Sequence, residues 1–249
     1  WPHRQPETAR GIRRSPLHDK LLQKGACFGS VTGWERPNWY APKGVNPVYE
    51  YSYGRQNWFH YSAEEHHSVR NSVGIFDQTS FAKFLVQGRD AENALQYICA
   101  NNVAVQPSTV IYTGMLNHQG GIEADLTVTR IDKDIYLIIT GGSSATRDFN
   151  WIKSNLPENA HVQLTDVTSA YAVIGVMGPN SRKLLTQLTD TDLSNRAFPY
   201  LSSQEITIGY APIRATRVTY VGELGWELYI PTEFAVNVYD AIISEGNRL

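Results

Sequence analysis

The chain has 249 residues, room for one large or two small domains at about 150 residues each. Hydrophobic residues make up 42% and charged residues 18%, an ordinary globular balance, and a net charge of −2 gives no electrostatic pull toward nucleic acid or an anionic membrane. Two cysteines, Cys27 and Cys99, are too few for a disulfide framework and fit a reducing compartment; no apolar run approaches the ~20 residues of a membrane helix, and the N-terminus reads as neither a signal nor a clear transit peptide.

Residues 1–60 read as irregular, broken by Pro2, Pro6, Pro16, Pro37, Pro42 and Pro47. One short helix is expected where Ser15 can cap and Pro16 can take the first position. Aromatic residues crowd this segment, either as rings packed onto a neighbouring body or as a flat-ligand site. So long a non-repetitive stretch reads as a linker over a surface or between domains. Both ends of the chain, Trp1 and Leu249, read as cut from something longer.

From Ser62 the signals sharpen. Ser62 with Glu65 predicts a capping box and a helix ending at Gly74. Phe81–Gln87 predicts a strand, Ala91–Ala100 a helix with Leu95 and Ile98 on one face, and Val110–Leu116 a strand. Gly120-Gly121 turns the chain into an alternating strand, Ile122–Ile131, and Lys133-Asp134 into its hairpin partner, Ile135–Thr140. Gly141-Gly-Ser-Ser opens a helix over Ala145–Asn155. Strands His161–Asp166 and Tyr171–Met177 follow, then a helix from Gly178-Pro179 through Leu188. Ile206–Ile208, Ile213–Tyr220 and Trp226–Ile230 are strands, the last two joined through Val221-Gly-Glu-Leu-Gly. A final helix starts at Thr232 or Glu233 and runs through Ile243. Hairpins interrupted by single helices give an α+β class with mainly antiparallel sheet. Residues 80–155 and 161–245 have similar element orders, which suggests two related lobes without a clear sequence repeat.

Few residues suggest chemistry on their own. His60, His66 and His67 lack metal-ligand spacing, and adjacent helical histidines point apart, so a solvated helix face is the reading and no metal is expected. Gly141-Gly-Ser-Ser lacks the lysine and glycine spacing of phosphate loops, which leaves a Ser-capped helix start. No Gly-x-Ser-x-Gly elbow occurs. On Ile122–Ile131, Glu123, Asp125, Thr127 and Thr129 share one face. By itself that is a half-buried strand with its polar face in water, and Glu223 by itself is an exposed turn residue.

Four stretches together carry more. Gly74-Ile-Phe-Asp-Gln-Thr-Ser-Phe-Ala-Lys-Phe, Gly120-Gly-Ile-Glu-Ala-Asp-Leu-Thr-Val, Gly175-Val-Met-Gly-Pro-Asn-Ser and Tyr220-Val-Gly-Glu-Leu-Gly-Trp-Glu-Leu-Tyr resemble, in order and spacing, the folate-binding aminomethyltransferases. That family includes the glycine cleavage T-protein and the C-terminal parts of dimethylglycine and sarcosine dehydrogenases. The resemblance covers roughly residues 60–249. Arg14-Ser-Pro-Leu-His, Gly33-Trp-Glu-Arg-Pro-Asn-Trp-Tyr and Arg55-Gln-Asn-Trp-Phe resemble the connection that follows the FAD domain in the dehydrogenase branch, and Ala124 before Asp125, where the T-protein branch has a second acid, points the same way.

The resemblance implies a T-protein fold, with sheet-and-helix lobes around a central cavity for tetrahydrofolate. It implies residues 1–60 as a linker after a missing FAD domain and 61–249 as the folate-binding domain, with a missing C-terminal barrel domain. Asp125 matches the family's acid beside the reactive folate nitrogens, and Glu223 the carboxylate that binds the pteridine. Phe81 and Tyr112 fall where the ring pocket is lined, with Thr127, Ile138 and Thr140 on the adjoining hairpin and Tyr220 before the Glu223 loop. The implied reaction passes a one-carbon unit from an N-methyl amine, as its iminium, to tetrahydrofolate, giving 5,10-methylenetetrahydrofolate. The oxidation that makes the iminium would need FAD in the whole protein. The implied compartment is a bacterial cytoplasm or a mitochondrial matrix. The alternatives are a regulatory module on the same fold, like the pyruvate dehydrogenase phosphatase regulatory subunit, a stand-alone T-protein, and a folate-dependent demethylase.

Overall fold

The structure, a computed structural model, describes residues 4–248; Pro2 and the two chain ends lie outside them. Helix α1 spans His18–Gln23, later than the Ser15 cap predicts. Ser15 still organises its start: its Oγ accepts the Leu17 N–H at 3.2 Å, its carbonyl accepts the His18 N–H at 3.1 Å, and the hydroxyl donates to Asp77.

The expectation of an irregular first 60 residues is corrected. Strands β1, Ala26–Val31, and β2, Trp34–Tyr40, form an antiparallel hairpin. Thr32 and Gly33 both have positive φ (48° and 83°), the signature of a tight two-residue turn whose twist suits paired strands. Pro37 lies beside a bulge between Cys27 and Phe28, where a missing N–H is tolerated. Leu17, Leu21 and Ala26 enter the main core, so this segment is packed and not merely draped.

Helix α2 spans Phe59–Asn71 and starts a turn before the expected Ser62 cap. Ser62 N–H already bonds Trp58 O inside the helix, and Glu65 accepts the Tyr40 N–H at 3.0 Å, tying α2 to the hairpin. A tertiary bond replaces the capping box. Gly74 does not simply end the helix: Gly74–Asp77 is strand β3.

The remaining elements are β4 (Ala82–Gln87), α3 (Ala91–Ile98), β5 (Val110–Leu116), β6 (Ile122–Asp132), β7 (Ile135–Thr140), α4 (Ala145–Asn155), β8 (Gln163–Asp166), β9 (Tyr171–Met177), α5 (Ser181–Leu185), β10 (Ser203–Ile208), β11 (Ala211–Thr216), β12 (Gly225–Pro231) and α6 (Ala235–Gly246). Helix α5 stops short of the expected Leu188. Every strand pairing between these elements is antiparallel, in two five-stranded sheets ordered β5-β6-β7-β4-β8 and β10-β11-β12-β9-β3.

Those orders expose a duplication. Each half of the chain runs strand, strand, helix, three-strand meander, helix, and each half lends its first strand to the other's sheet. Thus β3 precedes β4 but pairs with β9, and β8 precedes β9 but pairs with β4. The crossings share a local sequence, Asp77-Gln-Thr-Ser and Asp166-Val-Thr-Ser. Asp77 accepts the Thr79 N–H and Asp166 the Thr168 N–H; Thr79 Oγ1 accepts the Val173 N–H and Thr168 Oγ1 the Lys83 N–H, both at 3.1 Å.

Gly88 and Gly178, with φ of 139° and 133°, end the equivalent inner strands β4 and β9. A Cβ on either would sit 2.0 Å from His161 O or 2.4 Å from Ser72 O, both rigid backbone. Gly88→Ala is expected to cost about 1–3 kcal/mol by overpacking and left-handed strain, read as a drop in Tm of about 2–4 °C per kcal/mol.

The outer face of the first sheet packs on α3 and α4 through Phe84, Leu95, Leu126, Val128, Ile138 and Ile152. The outer face of the second packs on α1, α5 and α6 through Leu17, Ile174, Leu184, Trp226, Val238 and Ile242. The two inner faces meet through Leu137, Ile139, Val173 and Tyr229, with Phe81, Val167 and Tyr171 at the margin. No described helix is long and apolar enough to cross a membrane.

Candidate functional site

Strand alternation decides which side chains reach the space between the sheets. On β6 the even residues Ala124, Leu126 and Val128 belong to the outer core, so Asp125 and Thr127 face inward. Thr127 pairs with Tyr112 on one side and Ile139 on the other, and Ile139 with Lys83, which makes one inner row across four strands. Asp125 pairs with Gly114, which offers no side chain to cover it, and Asp125 stays exposed.

Tyr112 is 61% and Tyr220 86% exposed. Tyr112 stands beside Asp125, whose carboxylate raises the hydroxyl pKa by hydrogen-bonding to its neutral form and by charge repulsion, with Tyr220 nearby adding to the shift. Tyr220 belongs to the second sheet's loop, so the pair draws on both sheets. Phe81 is half-buried at the margin of the inner core. Lys83 is fully buried, its Nζ donating to Thr79 O at 2.8 Å, and burial pushes its pKa down to about 8 against the pull of Asp77 and Asp166.

The structure places Ile138 and Thr140 differently from the expectation. Ile138 is fully buried in the outer core, and the Thr140 hydroxyl donates to buried Asp148 on α4 at 2.5 Å. Both are on the correct strand and the wrong face. They hold the sheet to its helices and do not line the cleft.

Glu223 is also drawn elsewhere. Its Oε1 takes Arg70 Nε of α2 at 3.1 Å, at the rim, while the following Leu224 carbonyl is fixed by Gly178 N–H at 2.7 Å and Ser181 Oγ at 3.0 Å. The Arg70 side chain is 71% exposed, and ion pairs of that kind are worth about 0–1 kcal/mol. Glu223→Gln and Arg70→Gln are each expected to change ligand affinity less than about 5-fold, measured by calorimetry. A larger loss from either would return Glu223 to the site.

The carboxylate that does face inward is Glu227 on β12, four residues beyond Glu223. Its neighbours Trp226, Leu228 and Ile230 enter the outer core, so Glu227 takes the inner face opposite Gly175. Protein encloses it on most sides while part of its surface stays open, and that burial raises its carboxyl pKa. Tyr229 Oη donates to its Oε2 at 2.6 Å and opposes the shift. The Gln78 carboxamide covers Gly175 beside it, and the buried Gln78 Oε1 has no hydrogen-bond partner among the described residues. A lone acid inside an apolar strand was the available signal for Glu227; Gln78 had none.

Other candidates resolve structurally. Gly142 is required because a Cβ would sit 2.2 Å from Ser80 O, so the Gly-Gly-Ser-Ser start packs against β4's lead-in. Among the described residues no group of three or more His, Cys, Asp or Glu could hold a metal ion. A cavity of about 1050 Å³ lies apart, in the N-terminal segment, lined by Trp39, Tyr49, Tyr51, Trp58 and polar neighbours. It carries no carboxylate, whereas Asp125 and Glu227 both stand on the inner faces of the two sheets.

Residues 17–249 match the family described as GCVT N-terminal domain. The chain is 43% identical over its whole length to 4-methylaminobutanoate oxidase (formaldehyde-forming) of Paenarthrobacter nicotinovorans and 35% identical to human mitochondrial sarcosine dehydrogenase. It spans 30% and 31% of those longer proteins. Among solved structures it superposes on the glycine cleavage system aminomethyltransferase T from Bartonella henselae with a TM-score of 0.76 at 21% identity, covering 94% of this chain and 57% of that one, a likeness of fold.

Proposed function

The chain belongs to the GCVT N-terminal domain family, and on that premise we propose that its inter-sheet cleft binds tetrahydrofolate and serves the transfer of a one-carbon unit to it from an N-methyl amine, through an iminium, giving 5,10-methylenetetrahydrofolate. The observation that carries this reading is the pair of inward carboxylates, Glu227 enclosed on one sheet and Asp125 open on the other, joined by a rim of Tyr112 and Tyr220. A reduced pterin fits that donor set: its edge is rich in N–H groups, and the cleft offers acceptors and flat aromatic walls.

Glu227 accepts two ring N–H groups side by side, as charge-assisted bonds. Gln78 would lie beside the ring where its carboxamide covers Gly175, and Thr127 and Phe81 would border it. When bound, the folate supplies the nucleophilic nitrogens. Asp125 would face the cationic iminium; as one folate nitrogen bonded its carbon, the N–H proton released would pass by way of Asp125 to the amine, which would leave with its C–N bond broken as the second folate nitrogen closed the methylene bridge. Tyr112 holds that carboxylate in position through its hydroxyl. Holding both reactants in one cleft supplies proximity, and enclosure limits loss of the iminium to water.

In the whole protein we place the oxidation of the amine in an FAD domain preceding residues 1–60, which act as its linker, with a further domain after residue 249. A bacterial cytoplasm or mitochondrial matrix is the compartment of this reading. Calorimetric titration of the full-length protein with tetrahydrofolate tests it: saturable heat is expected. No heat of binding would sink the proposal and favour a regulatory module on the same fold.

A further inference from the structure

The duplicated halves supply an internal control for the cleft. Equivalent positions are fixed by hydrogen bonds: Gln78 N–H bonds Val173 O, and Val167 N–H bonds Lys83 O, each at 2.9 Å. On that alignment Gln78 matches Val167, and the pair Gly175 and Glu227 on β9–β12 matches the pair Leu85 and Leu137 on β4–β7. Val167 and Leu137 pack into the apolar seam between the sheets. Where one half closes its surface with Val, Leu and Leu, the other has Gln, Gly and Glu. The fold is satisfied by the apolar set, so packing does not call for the polar one.

Gln78 is the member of this set to which the expected site gives no task. Its Oε1 is buried with no hydrogen-bond partner among the described residues, an arrangement that carries a desolvation penalty. Its carboxamide lies over Gly175: a Cβ there would be 3.0 Å from Oε1 and 3.2 Å from Cδ. Gly175, the register partner of Glu227, therefore makes room for the amide. A half-turn of the amide exchanges oxygen and nitrogen, and the buried edge would then be an unmet donor; the position calls for a polar partner either way.

We infer that Gln78 is a second ring-binding residue, whose carboxamide hydrogen-bonds the pterin edge beside Glu227. The inference rests on the folate reading above. The oxygen is closed to bulk water, and a ring whose N–H edge reaches Glu227 on the adjoining strand would supply its donor. Glu227 alone would accept N–H groups without discriminating among donor-rich rings; a carboxamide beside it adds a contact that depends on the ring's own pattern of N–H and C=O.

The test uses the full-length protein, titrated calorimetrically with tetrahydrofolate, with Gln78→Val, which copies Val167, and Gln78→Met, which keeps length without the acceptor. Both are expected to raise Kd about 10-fold, the equivalent of about 1.4 kcal/mol, with Tm unchanged or higher because an unmet buried acceptor is gone. Unchanged Kd in both variants, with the unsubstituted protein binding normally, overturns the inference and leaves the folate reading standing. A loss of affinity matched by a lowered Tm in both variants overturns it in favour of a structural role. Absence of binding by the unsubstituted protein overturns the folate reading and the inference with it.

Discussion

Asp125→Asn in the full-length protein is expected to slow one-carbon transfer by about 10²–10⁴-fold, the usual scale for removing a positioned acid–base group, with tetrahydrofolate affinity changed less than about 5-fold. The split follows from where Asp125 sits. It is on the open rim, opposite Gly114, and its contact is with the Tyr112 hydroxyl rather than with the enclosed end of the cleft. Asparagine keeps the shape and can still bond Tyr112, but it carries no charge to steady a cation and takes no proton. The check is single-turnover transfer measured beside equilibrium binding. Equal rates in the two proteins would remove Asp125 from the chemistry; a collapse of affinity with normal turnover of the bound fraction would make it a binding residue.

Glu227→Gln has the opposite signature. Loss of a charge-assisted hydrogen bond is worth about 1.5–3 kcal/mol, roughly 10- to 100-fold in Kd. Stability should move the other way. Burial raises the Glu227 carboxyl pKa in the folded protein, above the ordinary unfolded value of about 4.3. A group raised in this way favours folding when protonated; its contribution is fully present below the unfolded pKa and is lost as pH rises through the folded pKa. Above the raised pKa the buried anion is therefore a liability, and Glu227→Gln should raise Tm at alkaline pH, with the gain shrinking as pH falls through that pKa. Binding has the complementary dependence: tetrahydrofolate affinity of the unsubstituted protein should fall as pH drops through the raised pKa and the acceptor pair is lost. A variant with unchanged Kd, or a Tm gain that grows as pH falls, would contradict the assignment.

These two residues show what could be read from the chain and what could not. The β5–β6–β7 meander was legible because Ile122–Asp132 alternates strictly and short turns separate its partners, and Asp125 came with it. Strand β7 was legible as a strand but not as a surface. Ile135-Tyr-Leu-Ile-Ile-Thr is apolar on both faces, since one meets helices and the other the opposing sheet, so period-2 reasoning could not say that Ile138 and Thr140 turn outward. The same blindness bears on the proposed ring carboxylate. Tyr220-Val-Gly-Glu-Leu-Gly-Trp-Glu contains two acids, and the one beside the glycine turn looked the more specific. Only the known inner face of β12 separates Glu227 from Glu223. The β1–β2 hairpin was hidden by prolines that a bulge accommodates.

The duplication was least visible of all, because little beyond Asp-x-Thr-Ser, a terminal glycine and a few small or apolar residues persists between the halves, while the pairing that proves it joins strands far apart in sequence. It also explains how the cleft arises. A symmetric apolar seam between two sheets is a stable way to bury both inner faces. Breaking it on one side, with Gly175 for Leu85 and Glu227 for Leu137, converts part of that seam into a polar recess without disturbing the outer cores. The proposed site is thus a local departure from the fold's own symmetry, placed where the two halves meet.

The structure of the full-length protein with tetrahydrofolate bound, determined by crystallography, tests this most directly. The ring should lie between the two sheets, its N–H edge on Glu227 and its reactive nitrogens toward Asp125 and Tyr112. A ring seated instead among Trp39, Tyr49 and Trp58 in the N-terminal cavity, with the inter-sheet cleft closed, would contradict it.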